Sequence, residues 1–202
     1  MHTILLRSAP TALLVATLLA PATGAQVDPE WLRMWTEAQT HRPADLDSTG
    51  RIAPEGEPGT PLVIHGRVVA PDGRTPVPGV TVFAYQTDEA GVYFGPDKPG
   101  RPWRLQGWVV TDATGRFELR TIRPGAYPGR RIPAHVHLSV ETPEHGRQWT
   151  EELRFADDPM VTTQERRRAA DRGRLGGVRP VRRVDGVHHV SFAIRLKPEG
   201  DF

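Results

Sequence analysis

Apolar and polar positions alternate along most of the chain. In the segment 80–86, for example, Val80, Val82 and Ala84 alternate with residues whose side chains point the other way. Side chains on a β-strand point alternately to its two faces, so this period predicts strands. The strands predicted in this way are 61–70, 80–86, 103–112, 116–122, 135–140, 148–155 and 187–196.

Two short turn sequences separate neighbouring predicted strands. Asp72-Gly73 follows the first strand, and Ala113-Thr114-Gly115 precedes the strand 116–122. Such sequences favour tight reversals, so we predict two hairpins. The predicted fold class is mostly β, a two-sheet antiparallel β-sandwich with a short N-terminal helix and one short surface helix at 163–172.

A helical period precedes the strands. Asp28 can cap a helix and Pro29 can occupy its first position. The apolar residues that then recur at helical spacing are Trp31, Met34, Trp35 and Ala38. We predict that this stripe packs on the sheet and that the proline-rich segment 41–60 is a linker. Residues 26–60 are then helix and linker, and residues 61–199 are the sandwich domain.

The first 25 residues resemble an export signal. Arg7 is followed by an apolar run from Ala12 to Ala20 and by small residues that end at Ala25. This order is typical of a secretory signal peptide, and the run is too short to span a bilayer. We predict a signal peptide in residues 1–25, a secreted or periplasmic protein and no stable membrane insertion.

Composition removes several classes of function. The chain has 26 basic and 24 acidic residues and a formal net charge of +2. This balance lacks the strong positive charge that is typical of nucleic-acid-binding proteins. It has no cysteine, so it has neither disulfides nor thiolate metal ligands. Catalytic or metal chemistry must therefore come from other side chains.

The segment 121–140 carries the strongest candidate chemistry. His135 and His137 share one face of a predicted strand, and Tyr127 precedes them on a proline-glycine turn. Tyr93 follows a second turn at Gly91. Two phenolates and two neutral imidazoles form a hard, anionic ligand set that suits a trivalent cation, and ferric iron is the natural candidate. The strand histidines His65, His188 and His189 are interpreted as structural.

These motifs together resemble the intradiol ring-cleavage dioxygenases, the family of catechol and protocatechuate dioxygenases. The resemblance implies an iron(III) site with the ligands Tyr93, Tyr127, His135 and His137. It also implies O2-dependent cleavage of a catechol-type ring between its two hydroxyl carbons to a muconate-type diacid, with Tyr127 as a catalytic residue that leaves the iron when substrate chelates it. The stretches that match in order are GRVVAPDGRTPVPGVTVFAYQTDEAGVY, TDATGRFELRTIRPGAYPG, PAHVHLSV and LRFADDP.

Three positions depart from the family pattern. Ile132 stands where the family usually has an Arg before Pro-Ala-His, and Arg131 lies one residue earlier. We predict that Arg131 is catalytic and reaches the metal pocket with Ile132 turned into the sandwich. Glu152 replaces an expected Gln and adds negative charge, and Trp108 stands where an Arg is common.

Two other classes of function stay open from the sequence. One is a non-catalytic transthyretin-like or carboxypeptidase-regulatory-like β-sandwich binding module, which needs neither Tyr93 nor the His-x-His pair. The other is a copper protein that uses His135 and His137 with a third histidine. The ring substituents of the substrate are not specified, and the oligomeric state is open, with a homodimer as one option.

Overall fold

The computed structural model describes residues 28–94 and 103–202, so the predicted signal peptide lies outside the described residues. The helices are α1 (Pro29–Gln39), α2 (Thr163–Asp171) and a 3-10 turn at Gly173–Leu175. The strands in this part of the chain are β1 (Thr49–Arg51), β2 (Pro61–Val69), β3 (Thr81–Gln86), β4 (Leu105–Val110), β5 (Arg116–Ile122), β6 (His135–Thr142), β7 (Gly146–Trp149), β8 (Leu153–Phe155), β9 (Val178–Arg179), β10 (Arg182–Val184) and β11 (Val187–Arg195).

The strands form two sheets that pack face to face. One has five strands in the order β1-β5-β2-β11-β10, and the other has the order β4-β3-β6-β8-β9 with β7 beside β6. The predicted β-sandwich with two short helices is confirmed. Both sheets are mixed, because β1 with β5, β2 with β11 and β8 with β9 pair in parallel. Alternation reports which face a residue occupies and not the direction of its neighbour, so the sequence pattern did not predict these pairs.

Both predicted hairpins are wrong, although both turns form. Gly73 N donates to Ala70 O, and Gly115 N donates to Asp112 O. The flanking strands lie in opposite sheets, since β2 pairs with β5 and β11 while β3 pairs with β4 and β6. Each turn therefore carries the chain from one sheet to the other, which a turn sequence alone does not distinguish from a hairpin.

The core lies between the sheets, where their inward-facing side chains are almost fully buried. Ile64 and Leu119 come from the five-stranded sheet, and Val82 and Val136 come from the other. Burial of each such side chain stabilises the fold by roughly 1.5–3 kcal/mol. The segment predicted as a linker contributes β1, which extends the five-stranded sheet beside β5.

Helix α1 covers part of the outer face of the six-stranded sheet. The predicted start is confirmed, because Asp28 caps the helix and Pro29 is its first residue. Trp35 and Ala38 are buried against the sheet, and Trp35 Nε1 donates to Ser139 Oγ at 3.2 Å. Among the described residues, neither α-helix has the length and apolar character needed to cross a membrane.

Candidate metal centre

Strand β6 presents both candidate histidines on one face. Val136, Leu138 and Val140 point into the core between the sheets. His135 and His137 alternate with them and therefore point to the outer face of the six-stranded sheet, beyond the end of α1. The predicted division of this strand into a core face and a polar face is confirmed.

Neighbouring groups hold both imidazole rings. His135 Nδ1 donates to Pro133 O at 2.7 Å, since a carbonyl oxygen can only accept. The ring of His137 stacks on Tyr85, its partner on β3, with ring centroids 4.6 Å apart. Trp31 Nε1 donates to the Tyr85 hydroxyl at 2.9 Å. Helix α1 thus fixes the position of His137 through one intervening residue.

Tyr93 follows a turn that Asp88 organises. The Asp88 carboxylate accepts hydrogen bonds from Ala90 N and Val92 N, each at 3.0 Å. Gly91 adopts a φ of 80°, a conformation that costs a residue with a Cβ atom energy. These bonds fix the direction in which the chain delivers the Tyr93 side chain.

Tyr127 stands on a second turn whose backbone touches the first. A Cβ atom on Gly91 would lie 2.0 Å from Ala126 O, and one on Gly125 would lie 2.3 Å from Glu89 O. Gly125 N also donates to Asp88 O in the first turn at 2.8 Å. Only glycine permits this approach, which brings the two tyrosines together.

The four predicted ligand side chains meet at one point. Tyr127 OH lies 3.0 Å from His135 Nε2 and 3.3 Å from His137 Nε2, and the two Nε2 atoms are 3.0 Å apart. The hydroxyl of Tyr93 is hydrogen-bonded to that of Tyr127. Donor atoms bound at about 2.1 Å and at right angles to one another lie about 3 Å apart, so three of these atoms already have the spacing of one coordination sphere.

Burial opposes charge on both phenols and on His137 when no cation is bound. Desolvation raises the pKa of Tyr93 far above its usual value, and the hydrogen bond to Tyr127 raises it further. Burial also raises the pKa of Tyr127. It lowers the pKa of His137 to about 4, so this imidazole is neutral near pH 7 and has a free lone pair. A bound cation would favour the phenolates that burial disfavours.

Glu152 and Arg154 complete the surroundings of the histidines. Glu152 Oε1 lies 3.6 Å from His137 Nδ1 and 3.9 Å from His135 Nε2. Arg154 lies opposite His135 in the strand register and donates to Glu152 Oε2 at 2.7 Å. Burial works against ionisation of Glu152, but Arg154 and the two histidines keep its pKa below the usual value.

Glu152 stands out in the sequence as a departure from the family pattern, whereas the place of Arg154 beside the histidines is not evident from it. Glu152 and Arg154 are two residues apart, which places them on one face of an extended segment, and this alternation was the available signal. The pairing of β6 with β8 brings the face that carries Glu152 and Arg154 next to the histidines. Asp158 was also missed, and its carboxylate fixes the start of β6 by accepting from Ala134 N at 2.9 Å.

Arg131 does not join the cluster. Its side chain is exposed and has no hydrogen bond or ion pair to any other described residue, while Ile132 is half-buried. Trp108 packs on Phe83 and donates to Gln39 of α1 at 3.1 Å. The catalytic role of Arg131 stays a prediction.

The remaining strand histidines lie elsewhere. His65 and His189 are on the five-stranded sheet, with His65 Nε2 3.2 Å from His189 Nδ1. Their rings are nearly parallel, with an interplanar angle of 5° and centroids 5.5 Å apart. The distance between the two nitrogens is that of a hydrogen bond between the rings.

The fold and the site define a β-sandwich with a tyrosine and histidine donor cluster on one outer face. A family model described as Dioxygenase matches residues 36–198. The chain belongs to the intradiol ring-cleavage dioxygenase family.

Known proteins of this class resemble the chain over more than half of its length. It is 34% identical over 129 residues to catechol 1,2-dioxygenase 1 of Acinetobacter lwoffii. This match covers 54% of the chain and 40% of that relative. It is 35% identical over 130 residues to the protocatechuate 3,4-dioxygenase beta chain of Burkholderia cepacia. This second match covers 59% of the chain and 55% of the relative. The chain thus spans about half the length of these curated relatives.

A solved structure extends the similarity to most of the chain. The dioxygenase domain of a dioxygenase and carbohydrate-binding protein fusion from Streptomyces sp. SirexAA-E superposes with a TM-score of 0.57 and 27% identity. The match covers 77% of this chain and 91% of that domain.

The contact between the two tyrosine turns predicts a stability effect. Gly91→Ala places a Cβ atom 2.0 Å from Ala126 O, and overpacking of this kind typically costs about 1–3 kcal/mol beyond the cost of a positive φ. Gly129→Ala is the matched control, because Gly129 has a φ of 70° but no atom within 4 Å of its Cβ position. Urea unfolding should show a larger loss for Gly91→Ala. Equal losses would mean that the contact is not important.

Proposed function

We propose that this protein is a non-haem iron(III) dioxygenase that cleaves a catechol-type ring between its two hydroxyl carbons. The ligands are Tyr93, Tyr127, His135 and His137. The observation that carries the proposal is the spacing of 3.0–3.3 Å among Tyr127 OH and the two imidazole Nε2 atoms. Membership of the family and the names of the relatives support the reaction class.

The chemistry of the donor set fits ferric iron. Two phenolates and two imidazoles provide hard oxygen and nitrogen donors with two negative charges, and thiolates are absent. When bound, the iron would lower the pKa of the catechol hydroxyls and make the substrate reactive toward O2. Both atoms of O2 enter the product, which is a muconate-type diacid.

The chain itself supplies geometry and a proton site. Tyr93 is the more deeply buried of the two phenols, and its backbone oxygen accepts from Arg104 N at 3.1 Å. Tyr127 is half-buried at the end of a loop. We assign Tyr127 as the residue that gives way to the substrate and takes a proton from it. His135 and His137 stay fixed by Pro133 and Tyr85.

The geometry offers less to the other two classes of function. Among the described residues, the group that could hold a cation by histidine and acidic side chains is His135, His137 and Glu152, which includes no third histidine for a copper site. A binding module would have no use for the two half-buried phenols that meet at this point. We therefore retain the dioxygenase as the proposed function.

The ligand set predicts a coloured protein. The purified wild-type chain loaded with iron(III) should be red to brown, because the phenolates donate charge to the metal. Tyr93→Phe removes a direct ligand and should therefore weaken iron binding by more than the roughly 10- to 100-fold that loss of an outer partner costs. Phe94→Leu, which changes an exposed ring next to Tyr93 and removes no donor atom, is the control. Metal analysis measures the bound iron, and visible spectra measure the colour. A colourless wild-type protein that holds zinc or copper although iron is in ample supply would contradict the proposal.

Activity assays can decide the role of Arg131. Catechol and protocatechuate should be consumed with O2 uptake, with the diacid detected by its absorbance. A loss of about a hundredfold in kcat for Arg131→Ala, the usual cost of removing a charge-stabilising donor, would support the catalytic role predicted from the sequence. Because Arg131 is exposed in the structure, a kcat close to that of the wild type would instead remove it from the mechanism.

We also propose that the protein is exported. The basic start, short apolar run and small residues that end at Ala25 support this. Protein purified from the native host should begin near Gln26, as determined by amino-terminal sequencing. Soluble material that still begins at Met1 would contradict export.

A further inference from the structure

The two histidines of the metal centre have different outer partners. His135 Nδ1 is already committed to Pro133 O at 2.7 Å, so its Nε2 is the nitrogen with a free lone pair. His137 Nε2 faces His135 and Tyr127 at 3.0 Å and 3.3 Å. The proton of His137 must then be on Nδ1 when Nε2 binds a metal. The group that faces this Nδ1 is Glu152, with Oε1 at 3.6 Å.

Glu152 is held in place from its other side. Its Oε2 accepts from Arg154 Nη2 at 2.7 Å and from Arg154 Nε at 3.2 Å. Arg154 Nη1 donates to Glu165 Oε1 at 3.1 Å. Glu165 belongs to the capping box of α2, where its other oxygen accepts from Thr162 N at 2.7 Å. A chain of paired charges thus runs from the first turn of α2 to His137.

We propose that Glu152 is a positioning residue for His137 and that Arg154 and Glu165 hold it for this task. This inference rests on the proposed metal centre. A carboxylate on the outer nitrogen of a metal-bound histidine fixes the ring orientation and strengthens the imidazole as a donor. A neutral amide at the same position would orient the ring but add no charge. Arg154 offsets the extra negative charge beside two phenolates.

The position of Glu152 favours this role over direct coordination. Its shortest contact to His137 is with Nδ1, the nitrogen turned away from Tyr127. Its distance of 3.9 Å to His135 Nε2 exceeds the 3.0–3.3 Å that separates the other donor atoms. Glu152 Oε1 and His137 Nδ1 are 3.6 Å apart, which is an electrostatic contact and is too long for a hydrogen bond. A small rotation of the Glu152 side chain would bring the two atoms within hydrogen-bond distance.

The pair also lines a surface cavity. Glu152 and Arg154 line a cavity of about 540 Å³ together with Glu165, Arg168 and Val178. Solvent can reach the outer side of the pair through this cavity, so Arg154 keeps Glu152 turned toward the histidines instead of toward water. Loss of Arg154 should therefore release the carboxylate.

The test compares Glu152→Gln with Glu151→Gln in the full-length chain loaded with iron(III). Glu151 is the matched control, because it lies one residue away and makes an exposed ion pair with Arg172. Glu152→Gln should bind iron about 10- to 100-fold more weakly in chelator competition. Its phenolate-to-iron band should move to longer wavelength and its iron should be easier to reduce, because His137 donates less. Glu151→Gln should match the wild type in all three measurements.

Arg154→Gln provides a second variant that leaves the carboxylate in place. It should shift the band and weaken iron binding less than Glu152→Gln, since Glu152 is released and not removed. Near-ultraviolet circular dichroism of the metal-free variants checks that each retains its packing.

Three outcomes would overturn the inference. A Glu152→Gln protein with wild-type affinity, band and reduction potential would mean that the carboxylate does not act on His137. Loss of iron as severe as in Tyr93→Phe would make Glu152 a direct ligand. A colourless wild-type protein would remove the proposed metal centre together with this inference, whereas a coloured wild type with an unchanged variant removes the inference alone.

Discussion

The close contact between two glycine-bearing turns is the constraint on which the candidate metal centre depends. Gly91 and Gly125 let two backbones approach until a Cβ atom on either would overlap a carbonyl oxygen. The turns come from different sheets, one after β3 and the other after β5. Gln86, which is fully buried, joins the same strand ends by donating to Ile122 O at 2.9 Å. The spacing of the tyrosines is therefore set by backbone packing and not by their own side chains.

Electrostatics then determines what this geometry can hold. Burial raises the pKa of both phenols and lowers that of His137, so it opposes charge on these three groups. Ionising the phenols in such a place is costly unless a positive charge is supplied at the same time. Glu152 enters this balance as a charge that Arg154 already neutralises. A cation bound at this site would therefore have to offset the cost of ionising the phenols.

The sequence predicted what is encoded locally. The cap at Asp28, the polar face of β6 and the tyrosine at each turn depend on residues close in the chain, and their predicted positions agree with the structure. The two hairpins failed because a turn does not specify which sheet the next strand joins. Arg154 was missed because its place beside His135 depends on the register between β6 and β8. The Glu152 contact with His137 has the same non-local origin.

The parallel pairing of β2 with β11 has a consequence for the order of folding. β2 is the central strand of its sheet, and its partner comes from the far end of the chain, so this sheet cannot be completed until nearly all residues are available. Contacts of such long range are slow to form because a large loop must close first. The sheet that carries the histidines draws most of its strands from one continuous stretch between Thr81 and Phe155. During synthesis, the strand that carries the histidines can therefore find its neighbours before the opposite sheet is complete.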